Sequence, residues 1–221
     1  MTLFHFAYTF DGNDFGNYLM AKTSKNGKLD TTLLRDLSKS VIDNASEEQK
    51  QILTNLKYDK EWLDDPDNDA SQAYLWNSIA LIRVFKHCPS LSNNRFLYSS
   101  LVLEKILPSV GWRQLDIQDL VFGKSLDSFF DDLKHKAFVK GIGLYGGCLN
   151  TKRIDELLLH LEATQNLPVL NTLKTYEQIT EFTQAGKLLP KEIINYAYED
   201  AFDMLKTALK RNEALYLHRD T

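Results

Sequence analysis

The chain opens on alternation. Within residues 3–10, Phe4, Phe6, Tyr8 and Phe10 fall on one face and Leu3, His5, Ala7 and Thr9 on the other. That period of two predicts a β-strand with one wetter face. The following DGNDFGN, rich in Gly and Asn, ends it. An edge strand needs a partner, and ALYLHR near the C-terminus is the candidate, a pairing that brings the termini together.

The remainder has helical period and helical punctuation. SEEQKQILTNLKY opens with a capping box, Ser46 accepting from the third helical N–H while Gln49 reaches back. Residues 69–89 open the same way with Asp69 and Gln72 and stop at Pro89. Tyr74, Leu75, Trp76, Ile79, Leu81, Ile82, Val84 and Phe85 wrap most of that circumference, which predicts a central, buried helix. Residues 93–111 follow, capped by Asn93 or Asn94 and closed near Pro108 and Gly111. Shorter helices are expected within 113–123 and 125–135, longer ones within 150–166 and 172–187, the last ended by Gly186.

The final helix starts at Pro190 with Glu192 in its first turn, both favourable there. Its Ile194, Tyr198, Ala201, Leu205 and Ala208 are spaced 4, 3, 4, 3. A homodimer seam fits that stripe, but an amphipathic core helix fits it better without sustained heptads. The acidic DDPDND is the nearest thing to a linker, and a boundary there leaves too small an N-terminal piece to fold alone. The expected fold is mainly α: one multi-helix domain over residues 1–221, with about eight helices and a minor β element at the N-terminus.

Composition narrows function by exclusion. The 221 residues are 43% hydrophobic and carry a net charge of −4, so the basic footprint of a nucleic-acid binder is missing. No apolar run approaches membrane-spanning length, and the N-terminus lacks the basic region of a signal peptide. Two cysteines, Cys88 and Cys148, are too few for a disulfide framework and fit a reducing cytoplasm.

Candidate chemistry is sparse. Asp65, Asp67 and Asp69 sit at positions 1, 3 and 5 of a calcium-loop pattern, but Ala70 stands where the turn needs Gly and Trp76 where the ion needs Glu. His5, His87, His135, His160 and His218 include no pair at zinc-binding helical spacing, so no metal is expected. No cofactor is expected either: no Walker loop or nucleophile elbow is present. Cys148, just ahead of a helix start, is the better placed thiol, with His135 or His160 as a base in principle. A half-buried structural cysteine is favoured.

Gly141, Gly143 and Gly146 fit G-x-G-x-x-G, but KHKAFVK is too charged for the buried strand a dinucleotide site requires, and the next helix starts late, near Asn150 or Thr151. A smaller feature remains. With Asn150 as N-cap, Leu149 and Ile154 form a hydrophobic staple, yet Lys152 and Arg153 occupy the first turn, where cations oppose the helix dipole. Gly146, Gly147, Asn150, Lys152 and Arg153 thus outline an anion site; alternatively the two side chains point to solvent or to Asp155 and Glu156. Trp112 and Arg113, after the Gly111 turn, are interaction candidates, although a Trp there more often plugs the end of a core.

Two functional expectations result. The first is a protein-interaction module without catalytic activity, whose acidic balance suits a basic protein partner. The alternative is an enzyme or small-ligand domain that uses the loop from Gly141 to Arg153 as a phosphate or carboxylate site. A deep pocket beside that loop favours the second; an exposed apolar surface elsewhere favours the first.

Overall fold

The computed structural model describes residues 5–20, 31–55, 78–79, 81–87, 94–131, 144, 146–165 and 190–219. The calcium-like loop, the expected helix within 172–187, Tyr145, Gly141, Gly143, His135 and Cys88 lie outside them.

The fold is mainly α. In chain order come β1 (His5–Phe10), α1 (Gly12–Met20), α2 (Thr31–Asp43), α3 (Glu47–Asn55), β2 (Phe85–His87) and α4 (Asn94–Ile106). A 3-10 turn at Leu107–Val110 leads to α5 (Gln114–Phe122), α6 (Leu126–Phe129), β3 (Gly147–Leu149), α7 (Thr151–Thr164), α8 (Pro190–Arg211) and β4 (Ala214–Arg219).

The strands form one antiparallel sheet in the order β2-β1-β4-β3. β1 pairs with β4 along its whole length, from His5 opposite Arg219 to Phe10 opposite Ala214. The two ends of the chain therefore make the centre of the sheet, with ALYLHR as the partner expected for the first strand. Two details differ. β1 is an inner strand, not an edge, and all six of its residues are buried. The face expected to be wetter is covered by helices. There His5 Nδ1 lies 3.0 Å from Ser100 Oγ of α4, and Arg211 of α8 donates to Thr9 Oγ1 at 2.8 Å. Hydrogen bonds allow these polar side chains to be buried on a helix-covered face.

Each face of the sheet has its own core. Ala7, Leu149, Leu215 and Leu217 pack with α4, α5, α7 and α8. Phe6, Tyr8, Phe10, Cys148, Ala214 and Tyr216 pack on the other side with Phe15 of α1, Ile52 and Leu53 of α3, Ile79, Leu81, Ile82 and Phe129. That second core is aromatic: Phe85 stacks on Tyr8 at 5.1 Å and on Tyr216 at 5.0 Å between centroids.

Local signals match at several helix ends. Gln49 N–H donates to Ser46 Oγ at 3.2 Å and Ser46 N–H to Gln49 Oε1 at 2.9 Å, the reciprocal capping box. α4 ends through the 3-10 turn onto Gly111 at φ 87°, a left-handed position that suits glycine. The α8 stripe of Ile194, Tyr198, Ala201, Leu205 and Ala208 is buried in the first core. One expected helix is cut short. The run ending at Pro89 leaves helical geometry after Ile82, and Phe85–His87 is strand β2. An apolar, β-branched and aromatic end such as VFKH serves a sheet as readily as a buried helix.

Candidate functional site

The glycines come first. Gly147 is the first residue of β3, where a loop was expected. A Cβ on Gly146 would lie 2.1 Å from the Leu217 carbonyl oxygen, and one on Gly147 would lie 2.2 Å from that of Phe122. Both positions need the missing side chain because backbone presses on them from β4 and from the end of α5. Beside them Lys124 and Cys148 exchange backbone hydrogen bonds of 2.9 and 2.8 Å, which stitch the turn after α5 to β3.

α7 then begins where its caps place it. Asn150 Oδ1 accepts from Arg153 N–H at 2.9 Å, and Asn150 Nδ2 donates to the Phe129 carbonyl at 2.8 Å. Leu149 and Ile154, the expected staple, are both fully buried in the first core.

The two first-turn cations have different surroundings. Lys152 is exposed. Arg153 lies back across α5, its side chain only 14% exposed. Its Nη2 is 2.6 Å from Asp116 Oδ1 and 2.7 Å from Asp119 Oδ2, its Nε donates to Asp119 Oδ2 at 2.8 Å, and its Nη1 reaches Glu156 at 3.0 Å. Glu156 was one of the partners expected from sequence; the two buried aspartates were not. Arg113 grips Asp116 from the other side with bonds of 2.7 and 2.9 Å, and Lys124 Nζ is 3.5 Å from Asp119. One residue named for the anion site, Arg153, and one named for interaction, Arg113, thus meet on the Asp116 carboxylate. The Arg113 hydrogen bonds, joined by those of Arg153 against the opposing effect of burial, hold Asp116 down at about 2.

Trp112 closes the far end of the same helix pair. It is 4% exposed, stacks on His160 at 4.2 Å between centroids, and donates from Nε1 to Thr164 Oγ1 at 3.1 Å. Its ring faces the core end, while Arg113 remains largely solvent-facing. Cys148 is fully buried, and burial pushes its thiol well above the usual range, which disfavours a thiolate nucleophile.

A half-open cleft of about 110 Å³ lies beside this network, lined by Lys124, Ser128, Asp131, Asn150, Lys152 and Glu156 among others, Cys148 and Arg153 included. Cations and carboxylates share it, so it presents no strong field of one sign. Among the described residues, no group of three or more His, Cys, Asp or Glu side chains is placed to hold a metal, and no helix is long and apolar enough to cross a membrane.

The most exposed large apolar side chains in this region belong to the clasped helices. Leu115 of α5 is 61% exposed and Leu159 of α7 is 60% exposed, on the two helices joined by Arg153 and Trp112. Phe122, at the end of α5, is 38% exposed. In comparisons with known proteins, the chain matches no family model, no curated protein and no solved structure.

Proposed function

We propose that this chain is a protein-interaction module that binds through the outer side of the α5–α7 pair. The observation that carries this reading is the pair of exposed leucines, Leu115 and Leu159, on helices locked together by buried ions. Single exposed leucines are ordinary. Two on one rigid helix pair supply apolar anchors whose presentation is fixed before binding, which lowers the entropic cost of association. Among the described residues, Arg153 and Asp116 hold each other, His160 carries Trp112, and Cys148 is sealed in the core. The test is capture from native lysate with the full chain and with a Leu115→Asp/Leu159→Asp variant of unchanged melting temperature. A stoichiometric protein held by the first and lost by the second supports the module. Equal retention by both, or no such protein, contradicts it.

A second reading rests on the cleft, where Lys124, Lys152 and Asn150 converge beside Ser128. There a phosphate or carboxylate group would meet Lys152, while the charge of Arg153 is balanced by its own carboxylates. Millimolar phosphate that raises the melting temperature of the wild type and not of Lys152→Ala favours this site; equal response in both removes it.

A further inference from the structure

We draw no further inference here: the strongest candidate, the half-open cleft between α6 and the first turn of α7, belongs to the site already described and offers, among the described residues, no buried side chain pointing to a ligand beyond the helix N-terminus itself.

Discussion

Arg153 Nη2 sits 2.6 Å from Asp116 Oδ1, across 37 residues of chain, and ties the first turn of α7 to α5. This explains why a well-capped helix begins with a cation. Opposing the helix dipole costs a few tenths to about 1 kcal/mol for an exposed charge. Losing the charge-assisted hydrogen bonds that Arg153 makes to two buried aspartates would cost more, about 1.5–3 kcal/mol.

The two neighbouring cations should therefore behave differently. Arg153→Ala removes the inner partner of Asp116 and Asp119, whose side chains are 4% and 6% exposed, leaving Asp116 to Arg113 and Asp119 to Lys124, and should lower stability by roughly 1.5–3 kcal/mol in urea unfolding. Lys152→Ala removes an exposed charge that opposes the dipole and should leave stability unchanged or slightly raised. Equal losses in both variants would mean that the first turn acts as a unit.

The glycine pair should tolerate no side chain. In Gly146→Ala and Gly147→Ala the new methyl meets a backbone carbonyl at about the 2.1 and 2.2 Å separations given by the fold. Backbone cannot swing aside as a flexible side chain can, so the loss should reach or exceed the roughly 1–3 kcal/mol of ordinary overpacking. Thermal melts of wild-type character in either variant would contradict the close approach of β3 to α5 and β4.

Acid should act in two windows. Burial first, then Arg219 and His218, hold His5 down at about 3 against an ordinary 6.5. Below 6.5 the unfolded chain takes up that proton and the folded chain does not, so stability falls as pH drops through this window until about 3. Asp116 acts lower: its contribution is present above 3.8 and is lost as pH falls through about 2. His5→Asn should flatten the fall between pH 6 and 4 relative to wild type, by at most about 1.4 kcal/mol per pH unit. Chemical denaturation at several pH values reads the slope; parallel curves would place His5 in a less buried setting.

Cys148 should be inert in the folded protein. In a Cys88→Ser background, a thiol reagent at neutral pH should modify Cys148 only after denaturant is added. Fast labelling of the native chain would show an accessible thiolate, which full burial forbids.

Sequence carried what short range encodes. The alternation of residues 3–10 marked β1, and caps at Ser46 and Asn150 placed helix starts, because each of these signals lies within a few residues; the partner strand ALYLHR, at the other end of the chain, was a candidate without such a signal. The clasp was not readable in that way. Nothing local marks Asp116 and Asp119 within a nine-residue helix, and their partner is an arginine 37 and 34 residues later. Strands β2 and β3 are three residues each, too short for a period to declare itself. Trp112 carried a clear packing signal, but its seat against His160 and Thr164 depends on α7 lying alongside α5.

The charge of Arg153 is spent on Asp116 and Asp119 inside the fold, and the proposed partner surface is the outer side of α5 and α7. A double-mutant cycle on Arg153→Ala and Asp116→Ala, followed by urea unfolding, tests this most directly. A clasp requires the double variant to lose much less than the two singles combined, with a coupling of roughly 1–3 kcal/mol. Losses that add within about 0.5 kcal/mol would mean that the two residues do not hold each other, and that Arg153 is available to a ligand.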